Sequence, residues 1–337
     1  MNNNGKTRNI YLDVIRGIAC IFIIFIHRLF PGTAGNIIAA IARSGVAVFF
    51  IISGYYAYNK DAAVVYKRLP RKIKHAGKIL GYSLIFYFIW ETFVRWAGSG
   101  ASSVYEWFAN ELLNPITWYH ALIWDKDPLA GHLWFLFALV RCYILLAIVL
   151  KLKLEKKASV ISVLCLAMTL VMQKIHLDMM YFRNGWFYGM GFFMAGYSIA
   201  AARTENFDKR RIYLGMITGL VLSTAGGVVF PKEQIYFGTV ILGISSFCWA
   251  VTKAGDTPKW PAAKMLAEIG AKFGTFIYVI HWAFRECLIK VDKMFTFAQQ
   301  SWYLWIAPVL LAVISILVSI VLYKIVDSVS KFSGGKQ

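Results

Sequence analysis

Three ionisable side chains in the first apolar stretch of the sequence have types and a spacing that could support acid–base chemistry. Arg16 precedes His27 by eleven residues, which in a helix is about three turns and about 16 Å along the axis, so both side chains return to one face. Asp13 comes shortly before Arg16 and is close enough to pair with it. A histidine can take up or release a proton, and an arginine can hold an anion. We therefore predict that these residues form a polar stripe across much of one helix.

A structural role is the alternative interpretation of the same residues. Asp13 and Arg16 would then form a buried ion pair near the membrane interface, and His27 would be an ordinary interfacial histidine. A lone histidine favours the structural interpretation, but ionisable groups within a bilayer are costly and Arg16 and His27 share one face, so the residues alone leave both interpretations open. Both interpretations require the same helix.

Further polar and aromatic side chains in apolar stretches are candidates for lining a cavity with this stripe. Arg141 lies near the middle of such a stretch and needs a partner, for which Glu91, Asp13 or a ligand phosphate are candidates. Trp134 shares a helix face with Arg141. Ser53 belongs to a Ser-Gly pair, which either supplies a hydrogen bond or permits close helix packing. The candidate cavity residues are Ser53, His132, Trp134, Arg141, Tyr278 and His281.

The composition indicates that these residues sit in a membrane protein. Of the 337 residues, 59% are hydrophobic and 16% are charged, whereas soluble domains carry about 25% charged residues. The net charge of +19 does not indicate nucleic-acid binding, because the cations cluster between apolar runs and suit loops facing anionic lipid. The cysteines lie in apolar stretches without metal-ligand spacing, so we expect no metal site.

The pattern of apolar runs predicts an all-α, polytopic protein with about ten transmembrane helices. The basic loops, such as residues 60–78 and 151–157, fall on one side if both chain ends are cytoplasmic, which satisfies the positive-inside rule. The longest external segment, about 97–130, combines aromatic and acidic residues and could lie at the outer surface. The predicted spans are 9–30, 36–59, 74–96, 131–151, 157–175, 184–202, 211–230, 235–252, 273–291 and 301–326.

Several motifs, taken in order, resemble the membrane acyltransferase-3 family over nearly the whole chain. The family hallmark is an arginine and a histidine separated by ten residues, and Arg16 and His27 match it. The chain ends soon after the tenth predicted span, so we expect one membrane-embedded domain, 1–337, without an SGNH-type hydrolase domain. The matching runs are Leu12 to Ala19, Gly45 to Tyr55, Arg68 to Arg71, His132 to Leu136, Phe192 to Tyr197 and Tyr278 to His281.

The resemblance implies that an acyl group, most often acetyl, moves from cytoplasmic acyl-CoA to a hydroxyl of an envelope carbohydrate or lipid-linked glycan. His27, Arg16 and Asp13 would be catalytic. Acyl-CoA is then a substrate, and no permanently bound cofactor is expected. The family also implies a bacterial inner or plasma membrane.

The basic loop after the second span is the predicted donor site. Arg68, Arg71 and Lys72 could form charge-assisted bonds with the phosphates of CoA, although the positive-inside rule alone would also place cations there. The alternative function is a non-catalytic transporter or sensor of a small amino acid or a glycan.

Overall fold

The computed structural model describes residues 8–202 and 207–334, and these residues are helical, with no strand among them. This confirms the all-α prediction. The two chain ends, which are predicted to lie on the cytoplasmic side, fall partly outside these ranges.

Fourteen α-helices follow one another in the described ranges, joined by short turns and by π or 3₁₀ segments. The π segments are Phe108–Leu112, Gly185–Gly189 and Ile269–Phe273. The α-helices are α1 (Ile10–His27), α2 (Gly32–Ala42), α3 (Ser44–Tyr55), α4 (Ala62–Trp107), α5 (Pro115–Trp124), α6 (Trp134–Lys151), α7 (Ala158–Lys174), α8 (Met179–Phe182), α9 (Met190–Ala201), α10 (Lys209–Val229), α11 (Phe237–Thr252), α12 (Ala262–Glu268), α13 (Gly274–Met294) and α14 (Ser301–Gly334).

The described residues form two compact units. The first unit comprises residues 8–49 and 207–334, and the second comprises residues 50–202. The boundary falls within α3. The organisation as one functional domain stays a prediction.

A helix is present in each of the ten predicted stretches, and five segments are long and apolar enough to cross a membrane. The remaining stretches differ because α7, α9 and α11 are short, whereas α4 and α13 carry several charged residues. The number of ten spans and the orientation therefore stay predictions. The five candidate spans are Ile10–His27, Gly32–Tyr55, Trp134–Lys151, Lys209–Val229 and Ser301–Lys331.

Helix α1 begins with a side-chain cap that also fixes its position in the first unit. The Asn9 side chain accepts hydrogen bonds from the backbone N–H groups of Tyr11 and Leu12, as is typical of an N-cap. Its amide group also donates to the carbonyl of Ala250, 2.8 Å away, in α11. Tyr11 packs edge-on against Trp249, which also belongs to α11. The N-terminal end of α1 is therefore held at a defined position.

A continuous segment from α12 through the following π segment to α13 runs beside α1 in the same direction. In the N-terminal half of α1, a Cβ atom on Gly17 would collide with the backbone of Leu266. A Cβ atom on Gly270 would likewise collide with the carbonyl of Asp13. Glycine at both positions permits the backbones to approach closely, as in other membrane helix pairs. Farther along, the ring of His27 lies beside that of His281, so the two segments stay together along the length of α1.

The second unit contains a similar close crossing between α3 and α9. A Cβ atom on Gly54 would collide with the backbone of Phe193, and one on Gly196 would collide with the backbone of Ile51. Because each helix places a glycine against the other's backbone, the Ser-Gly pair of α3 contributes to packing. The neighbouring Ser53 is hydrogen-bonded to the side chain of Tyr143 on α6.

Candidate active site

The N-terminal end of α1 contains a carboxylate shared by two arginines. One carboxylate oxygen of Asp13 lies 3.7 Å from Nη1 of Arg16, as the spacing predicts. The other oxygen lies 2.5 Å from Nε of Arg8. The Asp13 side chain is 11% exposed and that of Arg16 is 26% exposed, so the pair is largely removed from solvent. The backbone at Gly270 covers one side of Arg16. A partly accessible guanidinium near the N-terminal end of the helix suits an anionic ligand.

Arg8 was not singled out by the sequence analysis because it precedes the apolar stretch. Its side chain is 51% exposed, and its contact with Asp13 depends on the chain entering the helix at Asn9. The order Arg8, Asp13, Arg16 was a sequence signal for a shared carboxylate, although it does not determine the geometry.

At the other end of α1, the ring of His27 lies in a pocket formed by α13. The ring centroids of His27 and His281 are 5.2 Å apart, and those of His27 and Trp282 are 5.1 Å apart. Tyr278 precedes His281 by about one turn on α13, and the two ring centroids are 6.3 Å apart. His281 is fully buried, whereas His27 is partly exposed. The structure thus brings together three predicted site residues: His27, Tyr278 and His281.

Arg285 ties this pocket to the end of α1. Its Nε donates a 2.7 Å hydrogen bond to the carbonyl of His27, and its guanidinium lies 4.4 Å from the ring centre of Trp282. A cation at a helix C-terminus also interacts favourably with the helix dipole. The indole N–H of Trp282 donates to Glu286 at 2.8 Å. These contacts limit the freedom of both the His27 backbone and the ring that flanks it.

A second ion pair continues this network beyond the helix. Arg28 donates to one carboxylate oxygen of Asp292 at 2.5 Å, and the hydroxyl of Tyr303 donates to the other at 2.6 Å. Sequence analysis did not identify this cluster, because its members are separated by up to 275 positions along the chain. The end of the first unit that contains the C-terminus of α1 is therefore polar on α1, α13 and α14.

Between its polar ends, α1 is apolar. Cys20 and Ile24 are buried in a core cluster with Phe273 and Ile277 of the segment that runs beside them. The predicted stripe is therefore not continuous: Arg16 and His27 are separated by an apolar layer about 16 Å deep along the helix axis.

In the second unit, the predicted donor-binding cations lie on the first turns of α4. Arg68 and Arg71 are exposed, and Lys72 is half-buried. The ammonium group of Lys72 lies 5.8 Å from the ring centre of Tyr143, which is hydrogen-bonded to Ser53. Lys72 and Ser53 are thus brought together around one tyrosine, while the two arginines remain accessible to a soluble anion.

Arg141 has a protein partner that the sequence analysis did not name. Its guanidinium donates two hydrogen bonds to one Asp125 oxygen, at 3.0 and 2.8 Å, and a further one to the carbonyl of Leu122. Asp125 also accepts the backbone N–H of Gly185 at 2.7 Å. Burial raises the pKa of Asp125, and its bonds with Arg141 and Gly185 oppose the rise. The proposed partners Glu91, Asp13 and a ligand phosphate are not needed to neutralise Arg141.

His132 and Trp134 lie near the start of α6, beside other rings of the second unit. His132 is 1% exposed, and its ring centroid is 5.1 Å from that of Tyr87. The guanidinium of Arg183 lies 5.0 Å from the ring centre of Trp134. His132 is therefore a buried side chain in this unit, and Trp134 pairs with a cation.

The turn that carries His132 depends on Asp127. The Asp127 carboxylate accepts the backbone N–H groups of Leu129 and Ala130, each at 3.0 Å. Burial raises the pKa of Asp127 to about 7, and the backbone N–H groups of Leu129, Ala130 and Leu133 oppose the rise. The protonation state of this turn therefore changes near neutral pH.

We expect Asp127 to make stability fall with rising pH. Because its folded-state pKa of about 7 lies above about 3.9 for an unfolded aspartate, its contribution is fully present below about pH 4 and is lost as pH rises through about 7. Asp127→Asn, which stays neutral, should reduce the loss of thermal stability between about pH 5 and about pH 8.5. Tryptophan fluorescence during heating in detergent would measure this.

Asp178→Asn is the matched control, since Asp178 caps an exposed turn by accepting the N–H of Met180. An equal pH dependence in wild type and in Asp127→Asn would contradict the assignment to Asp127.

The comparison with known families agrees with the arrangement on α1. The model of a family described as an acyltransferase domain matches residues 9–324. The chain belongs to the acyltransferase-3 family. This match covers nearly the whole chain and includes every predicted site residue. Searches of curated proteins and of solved structures gave no match.

Membership of the acyltransferase-3 family supports acyl transfer as the activity, and the five apolar helices support a membrane location. Within its first unit, this acyltransferase presents Arg16 and His27 from one helix. Within its second unit, it presents the exposed Arg68 and Arg71.

Proposed function

We propose that this membrane acyltransferase moves an acyl group from cytoplasmic acyl-CoA to a hydroxyl of an envelope carbohydrate or lipid-linked glycan. The proposed acyl group is acetyl. The observation that carries the proposal is the partly exposed His27 ring, held between two rings of α13 on the helix that also carries Arg16. A positioned imidazole supplies the general base that transfer to a hydroxyl requires.

In the direct route, His27 takes the proton of the acceptor hydroxyl while the oxygen attacks the thioester carbonyl. A carbon–oxygen bond forms, the carbon–sulfur bond breaks, and the departing thiolate takes up a proton to give free CoA. In the alternative route, His27 attacks first and carries the acyl group until the acceptor displaces it. Both routes give the same products.

The separation along α1 assigns different tasks to the two residues. Arg16 lies about 16 Å from His27 along the helix axis, so the two side chains do not act on the same carbonyl. Arg16, held by Asp13, would bind a more distant part of the donor. The exposed Arg68 and Arg71 suit the phosphates of CoA, because arginine forms paired bonds with phosphate oxygens.

The proposed acceptor rests on the chemistry of the outer end of the first unit. Trp282, Arg285 and Asp292 surround or adjoin the His27 pocket and combine an aromatic face with charged hydrogen-bonding groups. Sugars bind well to such surfaces because their C–H faces pack on rings while their hydroxyls form hydrogen bonds. The proposed location is a bacterial inner or plasma membrane, in which this end of the first unit would face the envelope.

The test measures release of free CoA by the purified protein in lipid nanodiscs. Acetyl-CoA carrying a labelled acetyl group is supplied with and without crude envelope glycans, and longer acyl-CoA donors are tested in parallel. We expect release that requires glycan, with the label recovered on the glycan. Empty nanodiscs are the control. No release with any donor, together with binding of a glycan or an amino acid, would overturn the proposal in favour of a transporter or sensor.

A further inference from the structure

One face of α4 is buried from Val65 to Tyr87. Its side chains recur every four or seven residues, which at about 100° per residue keeps them within an arc of about 40° around the helix. Because this arc is the same before and after Pro70, the proline does not rotate one part of the helix against the other. The buried side chains of the arc are Val65, Leu69, Ala76, Ser83 and Tyr87.

The opposite face of α4 carries a row of large apolar side chains, each 56–70% exposed. All of them lie about 100° or more from the centre of the buried arc, and the row is about 21 Å long. A soluble surface rarely exposes such a row, whereas the hydrocarbon of a bilayer solvates it. The apolar row comprises Tyr82, Ile85, Ile89, Phe93 and Trp96.

Exposed lysines continue the apolar row toward the start of α4. They are Lys67, Lys74 and Lys78. They lie within about 40° of one another around the helix and in line with Ile85 of the row. In the part of the chain that the structure describes, none of the three pairs with a carboxylate. Arg71 lies in the same line and keeps its predicted role in donor binding.

The depth of these lysines follows from the length of the apolar row. A hydrocarbon core about 30 Å thick, centred on the row, extends about 4 Å past Tyr82, and the headgroup layer then reaches to about 12 Å past it. Along the helix axis, Lys78 precedes Tyr82 by about 6 Å and Lys74 precedes it by about 12 Å. Lys67 precedes it by about 22 Å. Lys78 and Lys74 therefore lie at the level of the lipid headgroups, and Lys67 lies beyond them.

We propose that Lys74 and Lys78 form a binding surface for the headgroups of anionic phospholipids. The surface joins exposed ammonium groups to an apolar row, which matches a lipid with a negative headgroup and apolar chains. The phosphates of CoA are the other candidate anion. However, Lys72, which is predicted to bind the donor, lies about 120–160° away around the helix, with its ammonium group near Tyr143. The basic loop is thus divided between two helix faces, one for the donor and one for lipid.

Two double variants with the same change of charge test this surface. Lys74→Gln with Lys78→Gln removes the proposed lipid contacts and leaves every residue that is predicted to bind the donor in place. Lys60→Gln with Lys67→Gln is the matched control, because Lys67 lies beyond the headgroup layer and Lys60 precedes α4. All four side chains are exposed, so thermal unfolding of both variants should match that of wild type.

The experiment measures the lipid that binds to the purified protein. Protein in detergent is mixed with equal amounts of phosphatidylglycerol, which is anionic, and phosphatidylcholine, which is zwitterionic, and native mass spectrometry counts the molecules of each that stay bound. We expect wild type and the control to prefer phosphatidylglycerol. The preference should fall by about fivefold for each lysine that is removed at headgroup level. No preference in wild type, an unchanged preference in Lys74→Gln with Lys78→Gln, or an equal fall in the control would overturn the proposal.

A second measurement separates lipid from CoA as the source of the phosphate. Binding of labelled CoA is measured in nanodiscs made from phosphatidylcholine alone. We expect Lys74→Gln with Lys78→Gln to bind CoA as wild type does. Weaker CoA binding together with an unchanged lipid preference would assign these lysines to the donor and overturn the proposal. Neither measurement requires turnover, so lipid binding is tested even in a protein that transfers no acyl group.

Discussion

Replacing His27 by alanine is expected to lower glycan-dependent release of CoA by about 10²- to 10⁴-fold, the range measured for removal of a general acid or base. The reason is local, because the imidazole is the titratable group of α1 that lies in the pocket formed by His281 and Trp282. The KM for acyl-CoA should change little, since the substitution leaves every proposed donor-binding residue in place. Initial rates in nanodiscs at matched protein concentration would show the effect.

His120→Ala is a suitable control for this measurement. His120 lies on α5, and its ring contacts that of Tyr119, so this variant removes an imidazole of the second unit that the proposed reaction does not use. Its rate should stay close to that of wild type. A His27→Ala protein that folds and retains most of the wild-type rate would exclude His27 from the chemistry and would require a different base.

Replacing Asp125 by alanine is expected to destabilise the second unit by about 3–5 kcal/mol, the usual cost of leaving one member of a buried ion pair alone. The Asp125 side chain is 0% exposed and that of Arg141 is 14% exposed, so water cannot replace the lost carboxylate. The variant also leaves the N–H of Gly185 without its acceptor. Thermal unfolding in detergent, followed by tryptophan fluorescence, would measure the loss.

The double variant Asp125→Ala with Arg141→Met provides the matched comparison. Removing both charges should recover part of the stability, because an apolar pair of similar volume is often tolerated where one buried charge is not. Additive losses would instead show that the two residues stabilise the protein separately. In that case the Asp125–Arg141 bond would not be the reason for the effect.

The position of the catalytic candidates on one helix could be predicted from the sequence because it depends on local periodicity. A run of apolar residues between Asn9 and Arg28 specifies α1, and helical geometry then places Arg16 and His27 about three turns apart. The same reasoning located a helix in each of the ten predicted stretches. It could not show that the stretch between the two residues is closed by Phe273 and Ile277.

The partners of these residues could not be predicted because they lie far away along the chain. Arg285 bonds the carbonyl of His27, and Asp125 neutralises Arg141, but no short-range pattern connects either pair. The sequence analysis expected Arg141 to need a partner, since a buried cation is costly. Choosing Asp125 over Glu91 required the left-handed turn at Asp125, which closes α5 and directs the chain toward α6.

The apolar layer between the two ends of α1 bears on energy conservation in the membrane. A protein that exposes titratable groups to both sides of a membrane that carries a proton gradient risks conducting protons between them. In the first unit, Cys20, Ile24, Phe273 and Ile277 pack between the Asp13–Arg16 pair and the histidine pocket. This apolar packing opposes the movement of protons along α1 from one polar end to the other.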